Sequence, residues 1–307
     1  MPVSSPNGHA GALILRRYFY FLSLCFLIQS LTACAIKPYV MDHTAAALAS
    51  QTSAPEEDLL LAREASAFYL KFSESILREA PHHPKLAETV AAGFAQYAYA
   101  FVAFDADKLE PKDAKSAQKI RLRAARLYAR ARGHAMNALE SGSPGFANAL
   151  AQTDPAKFPR LHPSQIGLAY WAAASWGGMI SLSKDDPDQV ADFPQVIRLA
   201  RMAWEINPDF GDGALASLMG TLEAARPGGS RQHAAVFFDQ AMKASKSQSA
   251  GPWVAKAESM ALADQDREAF ERLLRQALEI SAKHRNLQNE VMRERAEWLL
   301  DMAGDLF

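Results

Sequence analysis

Two groups of side chains in this sequence have the types that metal binding or catalysis uses. His82 and His83 stand between two prolines, and Asp185, Asp186 and Asp188 cluster where a helix is expected to begin. A metal site needs three or four ligands, and the histidine pair has no further ligand nearby in the sequence. The aspartates are better explained by a helix start, where a carboxylate favours the helix dipole. We therefore expect neither a metal site nor a cofactor.

The motifs of the common catalytic and nucleotide-binding sites do not occur in the sequence. We find no nucleophile elbow, Walker loop, dinucleotide fingerprint or His-Glu-x-x-His sequence. Gly228-Gly229-Ser230 is too short to cradle a phosphate, and its serine suits a helix cap. Lys and Arg number 33 against 34 Asp and Glu, so no strong positive field indicates nucleic acid as a partner. These features predict a protein that binds partners and is not an enzyme.

The first 34 residues combine a secretory signal with a reactive cysteine. Arg16-Arg17 precedes an apolar run at 18–28, which is too short to span a bilayer and is typical of a signal peptide. The run ends in Leu31-Thr32-Ala33-Cys34, which resembles the bacterial lipobox. In such signals the cysteine thiol receives a diacylglyceryl group and becomes the new N-terminus. An ordinary secretory signal with a chance cysteine, or a twin-arginine signal, is the alternative.

The lipobox divides the chain into three parts. Residues 1–33 are predicted to be cleaved, residues 34–56 to form the lipidated Cys34 and a tether, and residues 57–307 to form the folded domain. Cys25 would be removed, so the mature chain could form no internal disulfide. Several acyl chains would anchor the protein stably to a membrane. Ala35 after the cysteine, by resemblance to enterobacterial sorting rules, favours the outer membrane with the domain facing the periplasm.

Beyond the tether, the sequence predicts an all-α domain. Alanine is common, β-branched residues are sparse, and no alternating run indicates a strand. In the first helix the apolar stripe Leu61, Ala65, Phe68, Phe72 and Ile76 has helical spacing and is the expected buried face. Further helices are expected near 85–104, 113–140, 164–182, 187–206, 211–225, 230–246, 252–263, 266–281 and 286–303.

Alternate helices share small or apolar residues seven positions apart, and this pattern repeats. The pairs are Val196 and Ala203, Ala234 and Ala241, and Phe270 and Ala277, which recur every 36 to 38 residues. This period is typical of tetratricopeptide (TPR) repeats, which stack antiparallel helix pairs into a solenoid. We therefore predict a TPR-like α-solenoid in which helix 286–303 is the terminal cap.

Two surfaces of such a stack could bind partners. The first helix of each pair lines the inner groove of the stack. Aromatic and methionine side chains on these helices either line the groove or only fill the core. They are Phe94, Tyr97, Phe101, Tyr170, Trp171, Trp176, Met179, Met219 and Trp253. A basic stripe along the third helix, formed by Lys119, Arg123, Arg126 and Arg130, is either a solvated face or a docking face for an acidic partner or lipid headgroups.

Several blocks of sequence, in order, resemble the T-component family of TRAP transporters, whose members are lipoproteins with TPR-like repeats. The blocks lie within about residues 57–307 and include Gly93–Phe101, Arg123–Arg132, Tyr170–Gly177, Ile180–Pro187 and Leu287–Leu300.

The resemblance implies a periplasm-facing lipoprotein that associates with the solute-binding P protein of a TRAP transporter. It also implies a trimer and a hydrophobic cleft or pore that helps to pass a hydrophobic or organic-acid ligand. A general TPR scaffold lipoprotein, for outer-membrane protein assembly or for piloting a pilus secretin, is the alternative function.

Overall fold

Helix starts in this chain are fixed by side chains that cap the first turn. The computed structural model describes residues 44–48 and 56–307. Within these residues Asp58, Asp113, Asp186, Ser230 and Asp266 each accept a hydrogen bond from backbone N–H groups of the helix that follows. Such groups have no partner inside a helix, so the caps stabilise its start. The predicted signal peptide, Cys34 and most of the tether lie outside the described residues.

The first part of the fold is a set of long helices around one continuous, partly π-helical element. Helix α1 is followed by α2, a π-helical segment π1 and α3, which run on without a break, and then by the longest helix, α4. Their bounds are Leu59–Glu79 for α1, Pro84–Tyr97 for α2, Ala98–Ala103 for π1, Phe104–Leu109 for α3 and Ala114–Gly142 for α4.

The stretch that follows α4 is rich in proline and contains only short helices. Helix α5 spans Phe146–Leu150, and two 3₁₀ turns follow at Pro155–Lys157 and Pro163–Gln165. Phe146 and Leu150 are buried, so this mostly irregular stretch is nevertheless attached to the core.

The second part consists of shorter helices in regular succession. They are α6 (Ile166–Ser181), α7 (Pro187–Ala191), α8 (Phe193–Ile206), α9 (Ala214–Ala225), α10 (Arg231–Ala244), α11 (Gly251–Lys256) with the π-helical segment π2 (Ala257–Ala261), α12 (Arg267–Lys283), α13 (Leu287–Asp301) and α14 (Ala303–Leu306).

These helices pack as consecutive pairs, and the pairs stack. The described helices pair α2 with α4, α6 with α8, α9 with α10, and α11 with α12, while α13 packs on α12. The first helices of successive pairs are also in contact, since α2 contacts α6 and α9 contacts α11. The described residues contain no strand. The prediction of an all-α, TPR-like solenoid with a C-terminal capping helix is therefore confirmed.

Small residues allow the helices of a pair to approach closely. A Cβ atom on Gly220 of α9 would lie 2.9 Å from the ring of Phe238 in α10. Gly213 begins α9 at φ 89°, and a Cβ there would lie 2.5 Å from the backbone oxygen of Ala241. These contacts explain why glycine and alanine occupy the crossings.

The predicted buried stripe of α1 is wrong except at Ile76, which is half-buried and packs on the core. Leu61 is 53% exposed, Phe68 is 74% exposed and Phe72 is 41% exposed. The buried residues of α1 are instead Ala62, Leu70, Ser73, Glu74 and Leu77. The spacing of the larger apolar residues was helical, but polar Ser73 and Glu74 occupy the buried side because they find partners there. The outcome is an apolar stripe on the outside of α1.

We expect Gly213→Ala to lower the free energy of unfolding by about 2–4 kcal/mol, because a side chain at positive φ is strained and this Cβ also meets backbone. Gly145→Ala is the matched control, since Gly145 has φ 85° but no atom within 4 Å of its Cβ position. The control should lose only about 1 kcal/mol. Urea denaturation of both variants measures the difference, and equal losses would contradict the close contact with Ala241.

Candidate ligand cleft and docking surfaces

A cleft of about 470 Å³ opens between the beginning of α1, the π1 segment and α13. Leu59, Leu60 and Phe101 contribute apolar wall. Charged residues form most of the remaining lining, and two of them form an ion pair in which Lys108 Nζ lies 3.0 Å from Glu294 Oε1. The cleft is therefore an open groove in which a small apolar wall lies among mainly charged side chains.

The π1 segment shapes the floor of this cleft. A π-helical turn is wider than an α-helical turn and occurs often at functional sites. Tyr97, the last residue of α2, and Phe101, within this segment, pack edge to face with ring centroids 5.5 Å apart. The guanidinium of Arg63 lies 5.9 Å from the Phe101 ring and pairs with Asp105, so Phe101 is held between α1 and α3.

Arg295 of α13 forms the most buried ion-pair cluster around these elements. Its guanidinium lies 2.7 Å from Glu258 of π2 and 3.3 Å from Asp107 of α3, and its side chain is only 13% exposed. The same guanidinium lies 5.3 Å from the ring centres of both Tyr99 and Phe104. One cation therefore joins three segments that are far apart in the sequence.

Burial around Arg295 shifts the pKa of its neighbours. Burial raises the pKa of Asp107, although Arg295 opposes this. Burial also raises the pKa of Tyr99 to about 12, so its hydroxyl remains protonated. Burial would lower the pKa of Arg295, but Glu258, Tyr99 and Asp107 more than compensate, and its pKa lies well above the ordinary value. The cluster holds a permanent cation whose charge is already balanced, which makes it a structural clamp rather than a free anion site.

The residues predicted to line the groove fall into two sets. Phe94, Trp176, Met179 and Met219 are buried between helices, and Tyr97 and Phe101 are each 9% exposed, the latter in the cleft wall. Tyr170, Trp171 and Trp253 are half-buried.

Two of the predicted tryptophans have notable surroundings. Arg132 lies 3.6 Å from the Trp176 ring centre, so its cation stacks on the indole. The indole nitrogens of Trp176 and Trp253 are buried, and neither has a hydrogen-bond partner among the described residues. Both can donate a hydrogen bond to a ligand or a water molecule.

Tyr170, another residue predicted to line the groove, packs on Phe210 with ring centroids 5.6 Å apart. Burial raises the pKa of Tyr170 to about 12.

The predicted basic face on α4 is also divided by its surroundings. Lys119, Arg123 and Arg126 are exposed, so their charges are accessible to a partner. Arg130 is engaged, because its guanidinium binds Glu74 of α1 and lies 4.9 Å from the Phe94 ring centre.

Glu74 connects α1 to α4 through three cationic or polar neighbours. Burial would raise its pKa, but hydrogen bonds from Arg130, Lys71 and His134 lower it to about 2. Lys71 Nζ lies 2.7 Å and His134 Nε2 lies 2.8 Å from its carboxylate oxygens. Glu74 therefore remains ionised at neutral pH and fixes the position of α1.

Sequence reasoning missed the roles of Arg295, Glu258, Asp107 and Glu74. A signal was present for Arg295, because it stands four residues from both Val291 and Leu299, which are buried. A cation in the apolar stripe of a helix requires a buried partner. Its partners could not be identified, however, because they lie 37 and 188 residues away along the chain.

His83 and the aspartates at 185–188 act as helix caps or surface groups. His83 Nδ1 accepts a hydrogen bond from the N–H of Leu86 at the start of α2, and Asp186 caps α7. Over the part of the chain that the structure describes, no group of three or more His, Cys, Asp or Glu side chains could hold a metal ion. In that same part, none of the helices is long and apolar enough to cross a membrane.

The stacked helix pairs, the capping helix and the exposed cleft define a helical-repeat protein of the TPR type. A model of the TRAP transporter T-component family matches residues 55–307, and the chain therefore belongs to this family. Its role is that of an accessory component of such a transporter.

Two further proteins are similar to this chain. An uncharacterised protein of Treponema pallidum (strain Nichols) is 24% identical over 262 residues, which are 82% of this chain and 81% of that protein. The crystal structure of a thermophilic TPR protein of Thermus thermophilus matches with a TM-score of 0.45 and 17% identity, over 78% of this chain and 93% of that one.

We expect Arg295→Met to lower the free energy of unfolding by about 3–5 kcal/mol, because Asp107 and Glu258 lose the cation that balances them. The triple variant Arg295→Met, Asp107→Asn, Glu258→Gln should recover part of this loss. Arg272→Met is the control, since that side chain is 65% exposed and should change stability by no more than about 0.5 kcal/mol. Denaturant unfolding measures all three, and a loss below about 1 kcal/mol for the single variant would argue against a clamp.

A second prediction concerns pH. The folded-state pKa of Glu74, about 2, lies below the ordinary 4.5, so its contribution to stability is complete above pH 4.5 and is lost as pH falls towards 2. Glu74→Gln should therefore cost about 2–3 kcal/mol at pH 7, and the difference from the unmodified protein should shrink between pH 4.5 and 2. Urea unfolding at several pH values tests this. Glu268→Gln, at a carboxylate 93% exposed, is the control, and a pH-independent difference for Glu74→Gln would refute the linkage.

Proposed function

We propose that this protein is a periplasm-facing lipoprotein that binds the periplasmic solute-binding protein of a TRAP transporter. The observation that carries the proposal is the match of the T-component family over residues 55–307, almost the whole described domain. The TPR-like stack supports it, because such repeats present extended surfaces to protein partners. The proposal includes no catalysed reaction.

The anchor in this proposal is the lipidated Cys34. The charged n-region, the short apolar run and the Leu-x-Ala-Cys sequence support cleavage after residue 33 and acylation of the cysteine. Ala35 supports sorting to the outer membrane. Dual or triple acylation would hold the domain at the periplasmic face without a membrane-spanning helix.

The docking surface in this proposal is the basic face of α4. Lys119, Arg123 and Arg126 lie exposed along one helix. Exposed like charges mainly steer an oppositely charged partner and accelerate its association. We therefore assign this face to an acidic surface of the solute-binding protein, and the interaction weakens as salt is added.

A ligand function is part of the same proposal. The cleft beside Phe101 and the half-buried Tyr170, Trp171 and Trp253 provide apolar surface that solvent can reach. These features suit a hydrophobic ligand, or an organic acid with a substantial apolar part, passed to or from the solute-binding protein.

The experiment is a pull-down from periplasmic extract with the mature protein, with bound proteins identified by mass spectrometry. The partner recovered is then purified and titrated by calorimetry. Native mass spectrometry of the complex reports a retained small ligand, and light scattering reports whether the protein is the homotrimer that the family resemblance implies.

Charge reversal in Arg123→Glu/Arg126→Glu should weaken binding of the solute-binding protein at least tenfold at low salt, a loss of about 1.4 kcal/mol. The matched control is Arg267→Glu/Arg272→Glu on α12, where both side chains are more than half exposed. Equal affinities for both double variants would remove the basic face from the proposal.

In the pull-down, recovery of outer-membrane assembly or pilus components instead of a solute-binding protein would favour the alternative, a general TPR scaffold lipoprotein.

A further inference from the structure

The outer face of α1 carries an apolar stripe that no other described residue covers. Leu61, Phe68 and Phe72 lie on this face at 53%, 74% and 41% exposure, and Ala65 is exposed between them. The Phe68 and Phe72 rings are nearly parallel, with centroids 6.0 Å apart. A contiguous apolar stripe on a helix surface is usually an interaction site.

The stripe lies beside the point where the N-terminal segment joins the domain. A helical turn at 44–48 buries Ala45 and Leu48, and Tyr69 of α1 donates a hydrogen bond to the Leu48 carbonyl oxygen at 3.1 Å. Cys34 is ten residues before this turn. An extended chain spans at most about 3.5 Å per residue, so the cysteine lies within about 35 Å of the turn that packs on α1.

The orientation of the stripe separates it from the partner surface on α4. Phe72 precedes Glu74 by two residues, which places the two side chains roughly 160° apart around the helix. Glu74 faces α4, where it binds Arg130 and His134. Contact of the stripe with another surface therefore leaves Arg123 and Arg126 of α4 accessible.

We propose that the apolar face of α1 lies in the interfacial region of the membrane that holds the lipid anchor, with Phe68 and Phe72 inserted among the headgroups and upper acyl chains. This inference rests on the anchor in the proposed function. An acylated Cys34 restricts the domain to the bilayer surface, and the turn at 44–48, which begins ten residues after it, packs on α1.

The chemistry of α1 suits this occupant. An interfacial helix is amphipathic, with large apolar residues on one side and charged residues beside them. Arg78 is exposed on the same helix, and its long side chain can reach lipid phosphates. The tether favours the anchoring bilayer over a second copy of the chain, because at any protein concentration it keeps the turn that packs on α1 within about 35 Å of the acylated cysteine.

The test uses the mature lipoprotein, reconstituted into phosphatidylethanolamine–phosphatidylglycerol vesicles. The acylated Cys34 has no free thiol, so Ala65→Cys places one environment-sensitive fluorophore in the stripe. Val236→Cys, at a residue 63% exposed on α10, is the matched control. Intact mass first reports whether Cys34 is acylated.

We expect a blue shift of the label at position 65 on vesicles, with quenching by nitroxide-bearing lipids, and neither effect at position 236. Adding Phe68→Ser/Phe72→Ser should abolish the effects at position 65 while circular dichroism reports the same helix content. If Cys34 is acylated but the label at position 65 stays unquenched, the membrane contact of α1 would be overturned, while the proposed lipid anchor would stand. Self-quenching that rises with protein concentration, without lipid quenching, would assign the stripe to a second copy. Absence of the acyl mass would overturn the anchor, and this inference with it.

Discussion

The ion pairs of Arg295 are the constraint on which the arrangement of this domain most depends. In a helical solenoid each repeat normally contacts only its neighbours, so the ends stay apart. Here α13 returns to the beginning of the domain, where Arg295 binds Asp107 of α3 and Glu258 of π2, Lys108 binds Glu294, and Trp298 packs on Phe104. The cleft between α1, π1 and α13 exists only because of this return. Stability and the shape of the cleft therefore both depend in part on one buried cation.

Such a clamp is costly, and this explains its surroundings. Burying a guanidinium and two carboxylates loses hydration that their attraction must offset. The chain places aromatic rings of Tyr99 and Phe104 against the cation, which add a favourable interaction in a partly buried environment. Both π-helical segments lie beside the clamp, since Tyr99 belongs to π1 and Glu258 to π2. The wider π-helical turns therefore lie where the first and last parts of the domain meet.

Local chemistry in the sequence was sufficient to predict the helices, but not the surfaces. Asp186 before Pro187 and Ser230 after two glycines predicted helix starts because capping depends on neighbouring residues alone. The exposed stripe of α1 was assigned to the core because periodicity identifies a face without showing what covers it. The opposite side of α1 is buried instead, because Glu74 on that side binds Arg130, which is 56 residues away in the sequence. Long-range ion pairs of this kind are decided by the fold, so the clamp at Arg295 could not be predicted either.

The surfaces that remain available are arranged in a way that is consistent with one task. The apolar face of α1 lies beside the point where the tether joins, and the cations at Arg123 and Arg126 lie on the neighbouring α4. Glu74 rigidly connects these two helices at one point, because its carboxylate binds groups of both. If α1 rests on the bilayer, this connection keeps α4 beside α1 and close to the membrane surface. A soluble partner that diffuses along the membrane then meets the cations in a constant orientation, which raises productive encounters without requiring a tighter complex.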